Sequence, residues 1–240
     1  MNLTGDYWHS EKYKQSEYHL NKTLECEKIG YRLIHIFEYE WLNKQEIIKN
    51  KLNFYLNSYK ECIHARKCII KEIDPKTKNE FLNRYHIQGE DKSKVKLGLF
   101  YEDELVAVMT FGKPRFNKNY EWELIRYATS KHVIGGAGKL LKYFERNFNP
   151  SSIITYADRR FSQGNMYCKL GFKLDHVSKP NFIWIDKKHN IKSRMNSQKF
   201  KIITDENKNL TAEQIMIKAG FNKIYDCGNL VFIKLYHDTP

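Results

Sequence analysis

The sequence predicts an α/β (α+β) chain: a helix-strand-helix unit at the front, followed by a mixed sheet with helices on both faces. Four stretches carry this reading. "VKLGLFYEDELVAVMTFG" and "YEWELIRYAT" are strand runs in meander order, "HVIGGAGKLLKYF" is a glycine-rich turn into a helix, and "SIITYAD" returns to a strand directly afterwards. A meander that passes into strand-helix-strand order needs antiparallel and parallel pairing in one sheet.

The elements follow in chain order. Ser10 is placed to cap a helix that carries Tyr13, Leu20 and Leu24 and stops at Gly30, a residue suited to the left-handed position after a helix. "YRLIHIFEYEW" reads as a buried strand, with only a strand fragment before the first helix. Within it His35, between Ile34 and Ile36, reads as a core histidine. Tyr7, Trp8 and Trp41 read as core aromatics. "LNKQEIIKNKLNFYL" then repeats Ile47, Ile48, Leu52, Tyr55 and Leu56 at helical spacing. A basic connector holds a strand and a helix opened by Asp74-Pro75 and closed at Gly89. The meander turns at Glu102-Asp103-Glu104. Beyond "SIITYAD" come a helix in "SQGNMYCKLGF" and strands around "KLDHV" and "NFIWI". "KLGF" (169–172) and "KAGF" (218–221) each end a helix on glycine and begin a strand. The segments drawn from this pattern are 1–58, a connector 59–94, a sheet domain 95–190 and a helix-strand extension 191–240.

With 41 Lys+Arg against 28 Asp+Glu, the formal charge of +13 favours a polyanionic partner, double-stranded DNA first. Lysine enrichment from codon bias alone is the competing explanation. Five scattered cysteines make no disulfide framework and point to a reducing cytoplasm. The alternation of Cys62, His64 and Cys68 along a strand speaks against structural zinc. No apolar run is long enough to span a membrane, so no membrane partner is expected.

Gly135, Gly136 and Gly138 stand where a strand gives way to a helix N-terminus, where exposed amides receive phosphate. The order of this loop relative to "YADRRFSQGNMYCKLGF" resembles the GNAT-type N-acetyltransferases over about residues 95–186, with Lys131-His132 where the family often has Arg or Gln. The resemblance implies a coenzyme A derivative on Gly135, Gly136 and Gly138, with Tyr167, ahead of Gly171-Phe172, as general acid on the departing thiolate. Asp158, Arg159 and Arg160 in "YADRR" suggest contact with a nucleobase or phosphate. The alternative is that Asp158 caps the next helix and the arginines are solvated.

The opening "GDYWHSE", "YHLNKTLEC" and "LIHIFEYEW" resemble the very-short-patch-repair (Vsr-type) nucleases and related phage homing endonucleases, as do "IHARKC", "ADRR" and "YDCGN" further on. This resemblance implies phosphodiester hydrolysis in an infected bacterial cell. His9 and His19 would be base or proton shuttle, Lys22 the cation and Glu38 an outer carboxylate, with Mg²⁺ if the site is complete. The family's aspartate strand is expected ten to fifteen residues before Gly5, where only four residues stand, and Tyr39 replaces an aspartate. The front therefore reads as the retained half of a site. It leaves its strand without a neighbour, and a homodimer supplying the acid is left open.

The first functional reading is a homing-endonuclease-type DNA nuclease, or a derivative that only binds DNA. Arg66, Lys67, Arg115, Lys118, Arg159, Arg160, Lys187, Lys188 and Arg194 would meet phosphates. The alternative is a GNAT-type transferase acting on a nucleobase or another acceptor. A module binding a host protein is the third.

Overall fold

The computed structural model describes residues 2–59 and 61–236. In chain order the elements are β1 (Asn2–Thr4), α1 (Tyr18–Lys28), β2 (His35–Phe37), α2 (Glu38–Asn43), α3 (Gln45–Tyr55), β3 (Cys62–His64), β4 (Ile69–Glu72), α4 (Pro75–Tyr85), β5 (Val95–Tyr101), β6 (Glu104–Gly112), β7 (Trp122–Thr129), β8 (His132–Ile134), α5 (Gly136–Phe148), β9 (Ser152–Asp158), α6 (Asn165–Lys169), β10 (Lys173–Val177), β11 (Phe182–Ile185), β12 (Ile191–Ser193), α7 (Lys199–Ile202), α8 (Ala212–Lys218), β13 (Asn222–Tyr225) and β14 (Asn229–Leu235).

The chain divides into two compact units that interleave along the sequence. One comprises Met1–Lys44, Asp158–Gln163 and Val177–Leu230, the other Gln45–Ala157, Gly164–His176 and Val231–Pro240. The linear segments 1–58, 59–94, 95–190 and 191–240 give way to this division. The chain leaves the large sheet after β10 and comes back to it only as β14, so residues 178–228 belong with the front of the chain.

The second unit is built on a seven-stranded sheet in the order β10-β14-β9-β7-β6-β5-β4. Strands β4 to β7 form an antiparallel meander, and β7 pairs parallel with β9. Glu102 and Asp103 take positive φ (48° and 63°) in the turn between β5 and β6, the left-handed pair that a tight hairpin twist requires. Helices cover both faces, as expected from the sequence. Phe111 and Trp122 pack on Phe144 of α5, whereas Val108 and Ala128 pack on Phe81 and Leu82 of α4. Residues 108 and 111 lie an odd number of positions apart on one strand, which puts α4 and α5 on opposite faces. Asp74 caps α4 by accepting from the amides of Lys76 and Thr77, with Pro75 in the first turn. The helix ends at Tyr85, short of the expected Gly89, because the next residue, His86, is already extended.

In the first unit β1 pairs parallel with β2, while β12-β11-β13 form an antiparallel sheet. The strand expected to lose its neighbour therefore has one. Three expectations are corrected here. The first helix begins at Tyr18, since Ser10 spends its hydroxyl on the Tyr7 carbonyl (2.8 Å) and residues 10–17 run through turns. The strand expected over 31–41 is confined to His35–Phe37, because the buried Asp6 carboxylate accepts from the amides of Glu38 (2.9 Å) and Tyr39 (2.7 Å) and so starts α2 there. Trp8, expected in the core, is 64% exposed, packed edge-on against Tyr7. Gly171 and Gly220, the glycines of the two echoed motifs, both take positive φ.

Candidate functional site

In the second unit the pairing of β7 with β9 stops at Leu124–Thr155, although β7 continues to Thr129 and β9 to Asp158. Two parallel strands that stop pairing leave backbone groups facing a gap at their carboxyl ends, the place where open α/β sheets receive ligands. Tyr167 of α6 reaches this region. It is half-buried, stacked on Phe232 and hydrogen-bonded to the Thr155 hydroxyl, and burial holds its phenol above the usual range.

The glycine loop lies on the same chain segment that follows β7. Gly135 takes φ 76°, a conformation that L side chains avoid, and sets the start of α5. A Cβ on Gly136 would come within 2.9 Å of the Tyr127 hydroxyl, so the loop needs glycine there for packing. The first-turn amides of a helix have no intrahelical acceptor; that of Ala137 donates to the Tyr127 hydroxyl. Beside the loop runs a cleft of about 690 Å³ whose lining includes Gly135, Gly138, Arg66, Lys142 and Arg146. Lys139, also on this face, is committed to the Ala65 and Cys68 carbonyls. No ion pair among the described residues engages Arg66, Lys142 or Arg146. A glycine-started helix with exposed Arg66, Lys142 and Arg146 lining one cleft suits an anionic ligand.

In the first unit the structure brings His9 and His19 together, His9 Nδ1 lying 3.2 Å from His19 Nε2. His19 Nδ1 is hydrogen-bonded to the Tyr225 carbonyl (2.7 Å), and His35 Nε2 to the Thr23 hydroxyl (2.8 Å). Burial depresses all three rings, His19 to about 4 and His35 to about 3, so His35 is the core histidine that the sequence suggests. Lys22 lies on the same helix, its ammonium 6.0 Å from the Tyr18 ring.

Glu38 faces a different group. Its Oε2 accepts from the Asp6 amide (3.2 Å), and His189 Nδ1 lies 3.2 Å from Asp6 Oδ2. One ligand atom from each of Asp6, Glu38 and His189 falls within 4.8 Å of the others. This set does not fit Mg²⁺. That ion selects an oxygen shell, one of the three donors is an imidazole nitrogen, and both Asp6 oxygens already face the positive start of α2. Burial pushes the Asp6 carboxyl up to about 6, ahead of the lowering by His189 and the backbone amides.

Three of the basic residues expected on phosphate are engaged by carboxylates. Arg160 is buried between Glu40 and Asp158 and lies over the Phe37 ring; Arg159 pairs with Glu27; and Arg115 binds Glu123. Asp158, expected to contact a nucleobase at the transferase site or to cap the next helix, holds the Arg160 amide and guanidinium. Arg66, Lys67, Lys118, Lys187, Lys188 and Arg194 are exposed. The sequence reading passed over Thr155, Lys142, Arg146 and Arg126. The last was detectable as a lone cation between Leu124 and Ala128 in an alternating strand.

No family model and no curated protein matches the chain. Among solved structures it is similar to an IAA acetyltransferase from Bacillus cereus ATCC 14579, at 14% identity and a TM-score of 0.40, over 70% of this chain and 99% of that one. None of these comparisons supports the Vsr-type resemblance or the phage and Mg²⁺ readings that came with it.

No helix among the described residues is long and apolar enough to cross a membrane.

Proposed function

We propose that the second unit is an acyltransferase module of GNAT type, taking its acyl group from a coenzyme A thioester. The observation that carries this reading is the gap opened where β7 and β9 stop pairing, beside a glycine-started helix and a basic cleft. The amides of Gly135, Gly136 and Gly138 would meet the pyrophosphate, that of Ala137 being taken by Tyr127, and Arg66, Lys142 and Arg146 the remaining phosphate charge. The bound donor supplies an activated acyl carbon. As an acceptor amine bonded to that carbon and the carbon–sulfur bond broke, Tyr167 would give its proton to the departing thiolate and regain one from solvent, which takes the proton the amine loses. Because burial raises its pKa, Tyr167 is protonated at neutral pH, as an acid must be.

Calorimetric titration with acetyl coenzyme A, followed by thiol-release assays, tests the reading. Tyr167→Phe is expected to lower kcat roughly 10²-fold or more at unchanged donor affinity. Lys142→Glu combined with Arg146→Glu is expected to weaken donor binding. Absence of binding heat with the native chain counts against the proposal.

The close approach of His9 and His19 favours a second reading for the first unit, a DNA-binding remnant of a nuclease. Plasmid binding without Mg²⁺-dependent nicking is its expected signature.

A further inference from the structure

Arg126 is 9% exposed and lies on β7 just beyond Leu124, the last residue that pairs with β9. Placing a guanidinium out of water costs several kcal/mol unless an anion and hydrogen bonds compensate it. The buried carboxylates that act on Arg126 are already matched. Glu123 takes Arg115 through two guanidinium nitrogens, and Asp91 takes Lys78 (3.1 Å) and the Thr110 hydroxyl (2.6 Å). Two acids thus have two cations, and Arg126 is the surplus charge. Its Nη1 donates only to the carbonyl of its own neighbour Ile125 (2.9 Å). Its Nε is buried and has no acceptor among the described residues. Desolvation lowers its pKa to about 10, which still leaves it charged at neutral pH. Arg126 stands two residues past the Leu124–Thr155 pair at which β7 and β9 part, so the unmatched cation belongs to the gap and not to a remote patch.

We propose that Arg126 receives a carboxylate carried by the acceptor substrate, so that the molecule acylated in this gap is a small amino acid-like amine rather than a neutral one. A carboxylate matches the planar guanidinium fork and carries the single negative charge the site lacks; a phosphate dianion would bring more charge than one free cation balances. The inference rests on the acyltransferase reading for the identity of the acceptor, but the carboxylate site itself does not.

The test uses the full chain and two probes of equal shape, sodium propionate and propionamide, at constant ionic strength. Propionate is expected to raise the melting temperature of the native chain while propionamide does not. Arg126→Met is expected to lose that response and, without probe, to be at least as stable as the native chain, since it removes an uncompensated buried charge. Arg126→Lys, which keeps the charge but not the fork, covers the case in which the methionine variant does not fold and is expected to respond weakly. Equal responses in native and variant chains, or a response to propionamide, overturn the site. In thiol-release assays with a panel of amino acids, Arg126→Lys should raise the acceptor KM about 10- to 100-fold, the range set by losing a charged hydrogen-bonded pair. A fall in kcat with that KM unchanged would place Arg126 on the developing oxyanion and also overturn the proposal. A propionate response that depends on Arg126 without acetyl coenzyme A binding would leave the carboxylate site standing while sinking the acyltransferase reading; donor binding without that response would do the reverse.

Discussion

His19 and His35 are buried as neutral rings, and this sets how the first unit responds to acid. Their pKa values of about 4 and 3 lie below the 6.5 of a free imidazole. A base depressed in the fold contributes stability that is present above pH 6.5 and is lost as the pH falls toward the folded value. Asp6 works in the opposite direction: raised to about 6, it opposes folding most when ionised, and that opposition fades as the pH drops through 6. Between pH 7 and pH 5 the two imidazoles outweigh the carboxyl, for a net loss of about 2 kcal/mol. Amide exchange in α1 and β2, corrected for intrinsic rate, is expected to speed up roughly 30-fold over that interval. Exchange that is unchanged or slower at pH 5 would contradict the assignment. These roles were unevenly legible. His35 stood out from its apolar neighbours, whereas Arg160 looked like a solvated phosphate ligand because Glu40, its buried partner, is 120 positions away. Long-range charge pairing has no local sequence signature.

At the scale of elements, the meander and the α5 helix were readable because alternation and glycine act over a few residues. The front of the chain was misjudged for a physical reason: Glu38 becomes helical through the Asp6 carboxylate, 32 positions earlier. Glycine placement gives the sharpest element-level expectation. Gly228 and Gly220 both take positive φ, 74° and 85°, but differ in space. A Cβ at Gly220 meets nothing within 4 Å, while one at Gly228 would collide with the Ser178 carbonyl oxygen. Gly220→Ala should therefore cost only the left-handed strain of about 1 kcal/mol, and Gly228→Ala appreciably more, because the carbonyl must also move. Urea denaturation of both variants checks the order, and equal losses would show that strain alone matters.

Across the whole molecule, the excess of 13 positive charges survives the commitment of Arg115, Arg159 and Arg160 to carboxylates, because those pairs cancel. Exposed Arg66, Lys67, Lys118, Lys187, Lys188 and Arg194 remain to meet a polyanion. Binding to a short duplex is expected to weaken with salt at a log–log slope of roughly −0.9 per phosphate neutralised. Affinity that does not change between low and moderate salt would remove nucleic acid from the partners of this chain.

The place of β14 in the strand order has a consequence for synthesis. It fills the slot between β9 and β10, yet it is made after some fifty residues that fold elsewhere. Until Leu235 has left the ribosome, inner strand β9 and edge strand β10 are without the neighbour that will sit between them, open to templating by another chain. A nascent or prematurely stopped product therefore has every β-forming segment of its sheet except the one that seals it, and its solubility during translation should depend on how quickly that last strand docks.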